Sequence, residues 1–84
     1  MKDEFKQWNE ANPLRKFRDD NNLARTKLAS YMGVSMNTIQ FWENGSSIPN
    51  EENFTKISEI MSTPEKKLKE RWDEWVKNKP TLSI

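Results

Sequence analysis

Side chains able to make or break covalent bonds are scarce in this 84-residue chain. It has no His and no Cys, which removes the usual nucleophile and base pairs and any thiolate metal site. Carboxylates, Lys and a single Tyr remain. The adjacent Asp19 and Asp20 could be drawn as an acid-base pair, but a solvated helix end is the simpler reading. No catalytic residue, metal site or cofactor is expected, so the chemistry left is recognition by cations, amides and apolar surface. A net charge of +1 does not announce a nucleic-acid partner, but residues 12–27 alone carry a net +3, from Arg15, Lys16, Arg18, Arg25 and Lys27 against Asp19 and Asp20. The later basic run, Lys66, Lys67 and Lys69, reads as the wet face of a helix.

The elements that must position these groups are all helical. Asn12-Pro13 opens a helix, since Asn caps well and Pro is tolerated at the first helical position. Leu14 and Phe17 share its inward face, and Asn21-Asn22 ends it. A second helix runs from about Arg25 to Met32 with Leu28, Ala29 and Met32 inward, and Gly33 stops it. Ser35 caps a third, Met36 to about Glu43, with Ile39 and Trp42 inward, closed by Asn44-Gly45. Asn50 caps a fourth, with Glu51 and Glu52 in its first turn and a stripe of Phe54, Ile57, Ile60 and Met61. Thr63-Pro64-Glu65 opens a fifth, residues 64–78. Phe5 and Trp8 leave room for a further short helix at the N-terminus. With no strand signal and nine aromatics, four of them Trp, the expectation is one all-α domain over residues 1–84. A chain of this length buries only about 60% of its unfolded surface, which leaves room for a single core. The opening Met1-Lys2-Asp3-Glu4-Phe5 holds no signal-like apolar run, and no stretch approaches the about 20 apolar residues of a membrane span. A cytoplasmic, nucleoid-associated protein is expected.

The second and third helices meet through Gly33-Val34-Ser35 alone. Ala29 stands where two helix axes must approach closely, and Ile39 and Trp42 face Leu28, Met32 and Val34. This is a rigid helix-turn-helix over residues 25–44. Leu28-Ala29-Ser30-Tyr31-Met32-Gly33-Val34-Ser35, Thr38-Ile39, Trp42-Glu43-Asn44-Gly45 and Pro49 resemble the phage repressor and Cro family, the XRE-type helix-turn-helix proteins, over residues 14–61. The resemblance implies a five-helix lambda-repressor-like DNA-binding domain of bacterial or phage origin, with no small-molecule ligand. It places base-reading positions on Met36, Asn37, Gln40 and Phe41, phosphate contacts on Ser35 and Asn44, and a structural ion pair on Arg18 and Glu43. Two residues depart from the family pattern: Ala24 where a Thr or Ser cap is usual, and Arg25 where Gln is usual. Asn22 is then the alternative cap for the second helix.

The recognition helix, 36–43, carries no Lys or Arg. Amides of Asn37 and Gln40 suit adenine, and Met36 and Phe41 suit thymine methyls, so an A·T-leaning half-site is expected. Charge for the phosphates must come from Arg15, Lys16, Arg25 and Lys27. The expected function is a sequence-specific double-stranded DNA-binding transcriptional regulator, a repressor occupying an operator. The alternative is a protein-interaction module, of antitoxin or anti-regulator type, that uses Phe41 and the Trp-rich chain ends. Leu68, Trp72, Trp75, Val76 and Lys79 form a wide stripe on the last helix. Either that stripe packs on Phe5 and Trp8 within the chain, or Trp72, Trp75 and Val76 meet their symmetry mates. The second arrangement gives a homodimer with recognition helices about 34 Å apart.

Overall fold

The structure, a computed structural model, describes residues 3–81. Six helices follow one another: α1 Glu4–Glu10, α2 Pro13–Asp20, α3 Arg25–Met32, α4 Met36–Asn44, α5 Glu51–Met61 and α6 Glu65–Lys77. No strand occurs among the described residues. The short N-terminal helix is thus a formed element, α1, with Asp3 as its cap accepting from the Lys6 N–H at 3.1 Å.

Local chemistry accounts for most helix boundaries. Asn12 Oδ1 accepts from the N–H groups of Leu14 and Arg15, both at 3.0 Å, ahead of Pro13. Asn50 accepts from the Asn53 N–H at 2.9 Å to open α5, and Ser62, left-handed at φ 51°, closes it. Asn22 does not cap α3. It takes φ 52° in the turn after α2, and the extended Ala24 precedes α3 with no side-chain cap. Phe17 is also placed differently from expectation. It is only half-buried, while Arg18, one turn from the fully buried Leu14, faces inward. Residues four apart share a helix face more closely than residues three apart, so Arg18 takes the inward position on α2.

The core joins Trp8, Leu14, Leu28, Ala29, Met32, Ile39, Trp42, Phe54, Ile57, Leu68, Trp72 and Trp75. Within it α3 packs on α4 and α5, α5 on α6, and α2 on α1 and α6. Trp8 and Trp75 stack with ring centroids 4.0 Å apart and planes 4° from parallel. Each indole N–H donates to the other residue's carbonyl, both at 2.6 Å. An indole buried this way contributes its large apolar area without stranding its donor. The two stripes at the chain ends therefore pack on each other inside one chain. Trp72, 1% exposed, meets Phe54 and Trp75 edge-on, and Trp75, 5% exposed, meets Trp72 and stacks on Trp8, so both are consumed by this core. Neither is free to meet a symmetry mate; of the three residues expected at a dimer interface only Val76 lies at the surface.

Candidate nucleic-acid interface

Two features of the chain between α3 and α4 decide what α4 presents. Gly33 sits at φ 69°, a conformation that costs other residues about 1–2 kcal/mol, and the Val34 N–H reaches back to the Ala29 carbonyl at 3.1 Å. Ser35 then caps α4, its hydroxyl accepting from the Thr38 N–H at 3.1 Å. The inner face of α4 is shut away, with Ile39, Trp42 and Glu43 all buried. Its outer face carries Met36 and Phe41, 46% and 48% exposed, beside the exposed Asn37 and Gln40. Offsets of one, four and five residues from Met36 keep these four on one side of the helix. They form a surface of two amides and two apolar side chains on a pinned support.

Behind that face lies a three-residue ion network. The Glu43 carboxylate accepts from Arg18 Nε at 2.6 Å and Arg18 Nη2 at 2.8 Å, a bidentate pair. Arg18 Nη1 also donates to the Leu23 carbonyl at 3.0 Å. Arg25 Nε adds a third bond to Glu43, at 3.0 Å. The hydrogen bond to Glu43 raises the Arg18 pKa above its ordinary value, overcoming the opposing effect of burial. The network ties α2, α3 and α4 together through charge-assisted hydrogen bonds.

A family profile described as Helix-turn-helix matches residues 14–68. The chain belongs to the helix-turn-helix family. Its XRE-type DNA-binding domain covers the two helices and the turn just described, and it gives the protein a DNA-binding, transcription-regulatory character. No curated protein and no solved structure matches the chain. Among the described residues no cluster of three or more acidic, His or Cys side chains could hold a metal ion, and no helix is long and apolar enough to cross a membrane.

Around the helix-turn-helix, the residues singled out for phosphate contact fall into two groups. Arg15, Arg25 and Asn44 come together with Gln40 around one recess, whereas Lys16, Lys27 and Ser35 are exposed and do not line it. Arg25 is less free than its position in the sequence implied, because one nitrogen is held by Glu43. These two residues are 18 positions apart, so no local spacing signals the contact. Asn12 was legible only as a cap. Its amide also donates to the Trp42 carbonyl at 3.2 Å and is fully buried, locking α2 to the end of α4. Of the later basic run, Lys69 is engaged by Glu51 and Glu65, while Lys66 and Lys67 are exposed.

Proposed function

We propose that the protein is a sequence-specific, double-stranded DNA-binding repressor of lambda-repressor-like arrangement, reading the major groove with α4. The observation that carries this reading is the outer face of α4: Asn37 and Gln40 between the half-exposed Met36 and Phe41, on a helix whose opposite side is buried. Paired amide donors and acceptors recognise adenine in the major groove, and apolar side chains meet the thymine methyl. The operator half-site is therefore A·T-rich. The basic residues flanking the helix, Arg15, Lys16, Arg25 and Lys27, supply phosphate contacts that hold register without reading sequence. Two copies reading two half-sites multiply the specificity of so small a face; since Trp72 and Trp75 lie inside the chain, the copies meet through other surface residues.

A gel shift with an operator selected from random DNA, compared with unselected DNA at two salt concentrations, tests this. Asn37→Ala and Gln40→Ala each reduce operator affinity by roughly 1–3 kcal/mol and leave unselected DNA nearly unaffected. Equal losses on both DNAs would show that α4 reads no bases. The competing reading, a protein-docking module, is favoured by the exposed Tyr31, Met36, Phe41 and Ile48 and by the absence of Lys and Arg from α4. Failure to select any operator would transfer the assignment to it.

A further inference from the structure

A recess of about 280 Å³ beside the recognition face is lined by Asn9, Arg15, Arg25, Gln40, Glu43 and Asn44. Four helices contribute to it, and one of them is α1, which precedes the residues matched by the family. We propose that this recess is a phosphate site in which Asn9 takes part, so that α1 belongs to the DNA-contacting surface. The proposal rests on the DNA-binding reading above and extends it to an element outside the helix-turn-helix.

Charge favours an anion there despite the carboxylate in the wall. Glu43 is 2% exposed, and its two oxygens accept three N–H groups, two from Arg18 and one from Arg25. Arg18 is buried and is the bidentate partner of Glu43. Three arginines, Arg15, Arg18 and Arg25, then face two carboxylates, Glu43 and Asp19, which leaves one positive charge over at the recess. The nearest carboxylate to Arg15 is Asp19, 3.5 Å away and half-exposed, a contact that water screens heavily. Arg25 spends Nε on Glu43, and its two Nη groups remain as donors.

The Asn9 amide points the same way. Asn9 Oδ1 is closed off from solvent yet makes no hydrogen bond to any described residue, and Arg15 Nε has only the Asp19 carboxylate, 3.5 Å away and outside hydrogen-bond geometry. A buried polar atom left unpaired is costly, so the Asn9 amide at the recess is available to a further polar group. An Asn amide keeps its shape when turned over, which exchanges its oxygen for a donating Nδ2. Asn44 is already oriented for donation, because its Oδ1 accepts from the Ser46 N–H at 2.8 Å and Nδ2 is left over. Asn9, Arg15, Arg25 and Asn44 thus bring donor-bearing side chains to one recess from four helices, and a phosphate has oxygens enough to accept from several of them. Gln40 lines the recess and also stands on the outer face of α4. A phosphate gripped here is therefore contiguous with the groove that α4 enters.

Nuclear magnetic resonance of the ¹⁵N-labelled protein tests the site. Inorganic phosphate, titrated against chloride at equal ionic strength, shifts the Asn9 side-chain amide and the Arg15 and Arg25 Nε signals in a saturable way. A short duplex of random sequence then perturbs the same signals and displaces the phosphate. Asn9→Ala, a substitution that a helix tolerates well, lowers duplex affinity roughly fivefold on every sequence, as the loss of one ordinary hydrogen bond does. It leaves the salt dependence unchanged, because no charge is removed, whereas Arg15→Gln flattens that dependence by about one unit of slope. Silence of the Asn9 amide toward both ligands overturns the proposal. So does a phosphate response that the duplex neither shares nor competes with, since the site would then serve the free ion. A protein that selects no operator would still show the phosphate and random-duplex responses, which separates failure of this site from failure of base reading.

Discussion

Glu43 shows how much one side chain in a small domain can hold. It is buried at the point where α2, α3 and α4 converge and takes hydrogen bonds from two arginines. The two arginines are not equivalent. Arg18 is bidentate and buried, whereas the Arg25 side chain is 37% exposed and contributes one bond. Removing one partner of a buried pair costs about 3–5 kcal/mol, because the other charge is left without compensation, while a half-exposed pair is worth about 0–1 kcal/mol. Arg18→Ala is accordingly expected to destabilise severely and Arg25→Ala mildly in urea unfolding, and Arg18→Ala combined with Glu43→Ala should regain part of the loss. An Arg18→Ala protein melting within a couple of degrees of the parent would mean that the network is solvated and the pair dispensable.

At the scale of elements, the end of the recognition helix is set by neighbours far away in sequence. Gly45 closes α4 at φ 81°, and a Cβ placed on it would lie 2.7 Å from Trp8 Cη2 and 3.5 Å from Trp75 Cη2. The aromatic pair that joins α1 to α6 therefore presses on the last turn of α4, and only glycine leaves room for it. Gly45→Ala should cost about 1–2 kcal/mol for the left-handed backbone and a further amount for displacing the Trp8 ring. A double-mutant cycle with Trp8→Ala separates the two contributions; if Gly45→Ala costs the same in both backgrounds, the contact with Trp8 carries nothing. The junction between α5 and α6 behaves differently, because it is polar and wet. The Thr55 hydroxyl donates to Glu65, and this bond, aided by Lys69, holds the Glu65 carboxyl below its ordinary value of 4.5. A carboxyl lowered by folding contributes stability above its unfolded value and loses it as the pH falls through the folded one. Thr55→Val should therefore melt earlier than the parent at pH 7, with the gap closing on acidification toward pH ~2. A gap that persists in acid would assign the effect to side-chain packing instead.

For the molecule as a whole, the question is what the tryptophans at the chain ends are for. Trp8 and Trp75 satisfy each other's indole donors and stack face to face, and Trp75 also meets Trp72 edge-on with centroids 6.2 Å apart. Their burial enlarges the core of a chain too short to build a large one from the helix-turn-helix alone. Trp75→Glu would replace a buried, stacked indole by a carboxylate and leave the Trp8 indole without its neighbour, so the variant should lose its cooperative thermal transition and its near-ultraviolet circular dichroism. A folded, monomeric Trp75→Glu protein with weakened operator binding would instead restore Trp75 to an intermolecular contact. Sedimentation of the same sample distinguishes the two outcomes.

Local interactions made much of this protein legible in its sequence. Caps at Asn12, Ser35 and Asn50, the left-handed Gly33 and the apolar periods of α3 to α6 all act within a few residues, so residue types at short spacing determine them. They were enough to place four of the six helices within a residue or so, to define the turn, and to separate the inner face of α4 from the outer. The exceptions share one cause. Phe17 and Arg18 compete for one inward position, Arg25 turns to Glu43, the second bond of Asn12 goes to Trp42, Asn9 reaches the recess beside α4, and the stripes at the two ends of the chain find each other. Each depends on which helices become neighbours, and neighbours 18, 30 or 67 residues apart leave no periodic trace along the chain. Hydrophobic burial is indifferent to whether the apolar surface it covers belongs to the same chain or to another. A Trp stripe therefore reads alike as core or as dimer interface, and only the tertiary structure, by bringing α1 onto α6, decided that Trp72 and Trp75 are core.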